Sequence, residues 1–100
     1  AGTLSGCGPA YAYMFLNALC DGAVLRGVPR QKACQYAAQT LLGSARMVLE
    51  SGKHPEALKD DVCSPGGSTI AGVRALEAHG FRSAVMEALD AAVTRSKELG

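Results

Sequence analysis

The stretch 9-PAYAYMFLNALCDGAVLR-26 constrains this chain more than any other. Its residue types favour a helix, and only Asn17 and Asp21 interrupt its apolar surface before Arg26. Those two lie four apart, so a helix would place both on one narrow strip. A helix that is apolar nearly all round must be buried on most sides. One hundred residues can scarcely enclose such a helix, because a chain of this length buries only roughly 65% of its unfolded surface. The expected solution is an obligate helical dimer, with interleaved subunits. A monomeric bundle with a tightly packed core is the alternative. A membrane span is excluded: the run is shorter than the ~20 residues a span needs, and it contains an aspartate.

The rest of the chain is punctuated like an all-α protein of about five helices. Pro9 can take the first helical position, and Gly27 can end that helix in a left-handed cap. Pro29 restarts the chain, and a second helix is expected to about Glu50, with Gly52 closing it. Pro55 opens a short third helix, PEALKDDV. A fourth runs from about Ser68 to Ala78 and is closed by His79 and Gly80. The last extends from about Phe81 to Leu99. Strand-like alternation is missing, as are internal repeats and linkers, so residues 1–100 read as one domain.

In the second helix Cys34, Ala37, Ala38, Leu41, Leu42, Ala45, Val48 and Leu49 follow helical spacing and form one wide apolar stripe. Its small residues (Ala37, Ala38, Gly43, Ser44, Ala45) allow a neighbouring axis to approach closely. In the last helix Val85, Leu89, Ala92 and Val93 repeat the pattern opposite Glu87, Asp90, Arg95 and Lys97.

With 48% hydrophobic and 19% charged residues the chain is too apolar for disorder, and a net charge of +1 offers no field for nucleic acid. Cys7, Cys20, Cys34 and Cys63 are widely spaced, with no C-x-x-C and no histidine pair, so zinc is not expected. Four cysteines could make two disulfides in a secreted protein. Cys20 and Cys34, however, lie in alanine-rich helical segments where a free thiol serves as a small hydrophobe. The expectation is free thiols in a reducing compartment: a cytoplasmic protein, with the mitochondrion as the alternative.

Two glycine-rich stretches, LSGCGPAY and CSPGGSTIAG, are expected as turns feeding helix N-termini. Such sites offer open backbone N–H groups and a positive dipole end, which suit a carboxylate or phosphate. Gly66 and Gly67 would let a ligand approach the backbone. Ser68 and Thr69 either cap the helix or face that ligand. Cys7 is either a thiol activated by a helix N-terminus or a packed, inert one. His54, His79, Asp60 and Asp61 read as structural or solvated. Asp21 calls for an arginine or hydroxyl partner, at an interface, rather than a catalytic role. No nucleophile–base pair can be assembled.

The segments SGCGPAY, DGAVLRGVPR, AAQTLLGSARM and HPEALKDDVCSPGGSTIAGVRALEAHGFRSAVMEAL together resemble the C-terminal domain of pyrroline-5-carboxylate reductases, over nearly the whole chain. The most specific part is the run H-P-x-x-L-x-D-x-V-x-S-P-G-G-x-T-I, with G-F-R after it. Enzymes of this family reduce a cyclic imine, 1-pyrroline-5-carboxylate, to proline with NADPH or NADH. They pair an N-terminal Rossmann domain with a helical domain that forms an interlocked homodimer, and in several members the dimers build decamers.

The resemblance implies that the loop of Ser64, Gly66, Gly67, Ser68 and Thr69 holds the substrate carboxylate. The N–H groups of Gly67, Ser68 and Thr69 would form the cradle. Thr69 would orient or protonate the ring nitrogen, and Val62 would line the ring pocket. Ser5, Gly6, Cys7, Gly8 and Pro9 would lie near the nicotinamide, with Cys7 standing where the family's turn carries a serine. Residues 1–100 contain no strand, no G-x-G-x-x-G and no ribose-reading acid. The chain is therefore expected to bind no cofactor and to turn nothing over by itself. A helical interaction module that keeps only the fold is the alternative.

Overall fold

The computed structural model describes residues 2–100. They form α1 (Gly2–Leu25), α2 (Arg30–Ser51), α3 (Pro55–Asp61), α4 (Ser68–Ala78) and α5 (Phe81–Leu99), with no strand among the described residues. The all-α expectation and four of the five helices hold closely. The exception is the start of α1, which begins at Gly2 and runs through Pro9. Proline fixes a helix-compatible φ, so the helix continues through it, but its nitrogen cannot donate to the Ser5 carbonyl four residues back and its ring crowds that carbonyl.

Two compact units divide the chain: Pro9–Gly52, and Lys53–Gly100 with the residues up to Gly8. In the first unit α1 ends in a Schellman motif. The Val28 N–H reaches the Ala23 carbonyl (3.0 Å) and the Gly27 N–H reaches that of Val24 (2.9 Å). Gly27 takes the positive φ (+99°) this needs. Pro29 then starts α2 without a side-chain cap, and Gly52 closes it in the left-handed region.

Where α1 meets α2 the buried side chains are all small: Cys20, fully buried, with Ala33 and Ala37. Short side chains set a close interaxial approach. Asp21 finds its arginine across the turn: Arg30 Nη1 lies 2.8 Å from Asp21 Oδ1. The partner type is as expected, but both side chains are 55% exposed and the pair lies within one chain. At such exposure it adds little stability.

In the second unit His54 caps α3, its Nδ1 accepting the Glu56 N–H at 3.0 Å. At the far end of α4 the His79 imidazole meets the Ala75 carbonyl at 2.9 Å. Gly80, at φ +69°, turns the chain into α5. Both histidines thus close helix ends.

Arg82 on α5 joins three helices. Its Nη2 is 2.7 Å from Glu56 Oε1 on α3, and its Nε is 2.9 Å from Glu77 Oε1 on α4. Lys59 is a second cationic partner of Glu56, at 2.9 Å. The hydrogen bonds from Arg82, and then from Lys59, hold the Glu56 carboxyl down from its ordinary 4.5 to about 2. A carboxyl lowered on folding stabilises the fold fully above about pH 4.5, and that contribution fades as pH falls toward about 2. Glu56→Gln is expected to flatten the acid limb of a plot of unfolding midpoint against pH across this window. The difference should shrink at high salt, because the groups are partly solvated.

Much of the apolar surface has no cover. Tyr13 and Met14 on α1 are 70% and 72% exposed. The expected stripe of α2 is split. Ala37 is buried and Cys34, Leu41 and Val48 are half-buried, while Ala38, Leu42, Ala45 and Leu49 face outward. These last four are spaced i, i+4, i+7, i+11 and so form a second, open apolar row.

Candidate functional site

The loop before α4 is built as a tight turn. Ser64, Pro65, Gly66 and Gly67 close on a hydrogen bond from the Gly67 N–H to the Ser64 carbonyl (3.1 Å). Proline presets the second position, and Gly66 supplies φ +69° at the third, the pattern of a type II turn. A Cβ on Gly67 would lie 3.3 Å from the Ser64 oxygen, so this position also favours glycine. Gly66→Ala is expected to cost about 1–2 kcal/mol by forcing a side chain into the left-handed region, which urea unfolding would measure.

Gly67 is the N-cap of α4 and makes no side-chain cap bond. Its N–H is engaged in the turn, which corrects the expected set of open donors. At a helix start the first N–H groups have no carbonyl to bind. Those of Ser68, Thr69 and Ile70 make no hydrogen bond among the described residues. Nor do the Ser68 and Thr69 hydroxyls, and both residues are exposed. Neither hydroxyl is used as a cap. Three donors, two hydroxyls and the positive end of an eleven-residue helix converge here, and an anion is the complementary ligand. Val62, 64% exposed, ends α3 on the approach to the turn, and Cys63 is half-buried beside it.

The second glycine-rich stretch does not form the expected turn. Ser5, Gly6, Cys7, Gly8 and Pro9 all lie within α1, and the Ser5 hydroxyl donates to the Gly2 carbonyl at 3.3 Å. These residues therefore do not form a turn ahead of a helix. What they present instead is a helical surface of small side chains. One donor of this site was missed in the sequence, the Ile70 N–H, which follows from the helix register; so, away from the site, was the Glu56–Arg82 pair. Arg82 belongs to the G-F-R run, but its partner lies 26 positions away. No group of three or more His, Cys, Asp or Glu that could hold a metal ion forms among the described residues. None of the helices is long and apolar enough to cross a membrane.

The family model described as pyrroline-5-carboxylate reductase dimerisation matches residues 1–99. The chain belongs to the pyrroline-5-carboxylate reductase family. It is 56% identical over 96 residues to the pyrroline-5-carboxylate reductase of Escherichia coli, covering 96% of this chain and 36% of that protein. The Pisum sativum reductase is 58% identical over the same length, 35% of that protein. Among solved structures, the Plasmodium falciparum pyrroline carboxylate reductase with NADP bound superposes with a TM-score of 0.95 at 42% identity. That match covers 100% of this chain and 40% of that one. The Coxiella burnetii pyrroline-5-carboxylate reductase gives 0.93 at 41% identity, over 98% and 36%. The chain thus spans little more than a third of the reductases it matches, and within them it corresponds to the helical dimerisation domain.

Proposed function

We propose that this chain is the dimerisation and substrate-carboxylate-binding part of an enzyme that reduces 1-pyrroline-5-carboxylate to proline with NADPH or NADH. The observation that carries this reading is the open N-terminus of α4, where the N–H groups of Ser68, Thr69 and Ile70 and the Ser68 and Thr69 hydroxyls have no partner among the described residues. It lies in a segment whose family acts on a cyclic amino acid with one carboxylate. The donors and the helix dipole hold that carboxylate, and the carboxylate in turn fixes the ring. Thr69 orients the ring nitrogen, and Val62 borders the ring.

The cofactor supplies hydride, so the protein's share is largely positioning and exclusion of water. The helical stretch Ser5–Pro9 fits at most the nicotinamide end, where its small side chains allow a ring to approach.

The partner is a second copy of the chain. The apolar surface it would cover includes Tyr13 and Met14 on α1 and Leu42 and Leu49 on α2, each more than half exposed.

The test is an assay of the protein that carries this chain, with NADPH oxidation followed in the presence of 1-pyrroline-5-carboxylate or 1-pyrroline. The cyclic imine without its carboxylate is expected to lose roughly 100-fold or more in kcat/KM, the loss of a charge-assisted contact of about 3 kcal/mol. Equal rates on the two would remove the carboxylate role from α4. No imine-dependent oxidation at all would leave a dimerisation module only.

A further inference from the structure

Cys20 and Cys34 meet across the junction of α1 and α2. Their Sγ atoms lie 2.8 Å apart, although the residues are fourteen positions apart in the chain. A disulfide needs about 2.05 Å between sulfurs, so closing the bond takes less than about 1 Å of movement. The neighbours that allow this are Ala33 and Ala37, whose short side chains bring the helices together.

The two thiols are not equivalent. Cys20 is fully buried, whereas Cys34 is half-buried and reachable from solvent. The Arg30 guanidinium sits 3.5 Å from Cys20 Sγ and is itself held by Asp21 at 2.8 Å. The pair therefore has one sulfur that a reagent can reach and a second sulfur behind it.

We propose that Cys20 and Cys34 form a dithiol modification site that low-molecular-weight disulfides oxidise to an intrachain disulfide. The Cys34 thiolate attacks one sulfur of the reagent, forms a mixed disulfide and expels the first small thiol. Cys20 then gives up its proton and attacks Cys34 Sγ, expelling the second small thiol. Two cysteine thiols lose two electrons and two protons, and the reagent disulfide gains both to become two thiols. The order of attack follows from exposure. It agrees with the chemistry of Cys20, whose thiol is held above its ordinary range by the hydrogen bond with Cys34 and then by burial. A protonated, buried thiol is the poorer first nucleophile. The nearby guanidinium favours the thiolate that must form in the second step.

The experiment treats the reduced, native protein that carries this chain with oxidised glutathione and then alkylates the remaining thiols. Peptide mapping is expected to find Cys20 linked to Cys34, with Cys7 and Cys63 still alkylated. Cys20→Ala should stop the reaction at glutathione on Cys34, and Cys34→Ser should protect Cys20. Three results would overturn the proposal: both thiols remaining alkylatable after treatment, a stable glutathione adduct on Cys34 in the unmutated protein, or unchanged oxidation of Cys20 in the Cys34→Ser variant. Because Cys34 is half exposed, Cys34→Ser keeps the test valid if Cys20→Ala fails to fold.

Discussion

Leu42→Glu is expected to turn the proposed dimer into a folded monomer. Leu42 lies in the middle of α2 and is 54% exposed, in the open row with Ala38, Ala45 and Leu49. Within one chain the change costs little. Glutamate is a good helix former, and Arg46, one turn on, is already paired with Glu50 at 2.8 Å. Across a two-fold interface the substitution occurs twice. Each copy loses part of a leucine's burial, worth about 1–2 kcal/mol, and brings in a charge with no partner. The sum is about 3 kcal/mol or more per dimer, so the dissociation constant should rise 100-fold or more. Sedimentation velocity would read the mass, and circular dichroism would show that the helices persist. Leu49→Glu, at a position 83% exposed, is expected to act in the same direction.

Thr69→Ala should behave in the opposite way, sparing assembly and harming turnover. The Thr69 hydroxyl has no bonding partner among the described residues, and the residue is exposed on the first turn of α4. Alanine is the better helix former, so stability should hold or rise by a few tenths of a kcal/mol. If the hydroxyl serves the ring nitrogen, its loss removes a hydrogen bond made in the transition state. That is worth about 1.5–3 kcal/mol, or roughly ten- to hundredfold in kcat/KM. Thr69→Ser should restore most of the rate because it keeps the oxygen. Steady-state kinetics on the whole enzyme checks both variants, and unchanged rates for Thr69→Ala would make Thr69 an ordinary surface residue of the helix.

Which parts of the molecule could be read in advance follows from how local their causes are. Gly27, Gly52 and Gly80 end or join helices because each takes a positive φ, and that preference belongs to the residue itself. Pro55 and His54 open α3 for equally local reasons. The start of α1 is not legible, because Pro9 normally marks a first helical position and here lies in the interior, where its nitrogen cannot donate to the Ser5 carbonyl. Contacts that depend on how helices meet were out of reach. The Glu56–Arg82 pair and the Cys20–Cys34 contact bridge 26 and 14 positions. No periodicity within one helix signals either of them.

The site was legible in outline only. Its glycines and hydroxyls suggested an anion at a helix start, but the same residues suit a plain capped turn. That neither hydroxyl caps the helix, and that Gly67 gives its N–H to the turn, needed the backbone. The ligand's identity came from neither source. It rests on the family, through the H-P-x-x-L run and the G-F-R that follows.

One feature runs from the first helix to the assembly: apolar surface that a single chain does not cover. Light scattering on the 100-residue chain at micromolar concentration tests this most directly. A mass of twice 10.3 kDa with native helicity is the expected result. A stable, helical species of 10.3 kDa would contradict it.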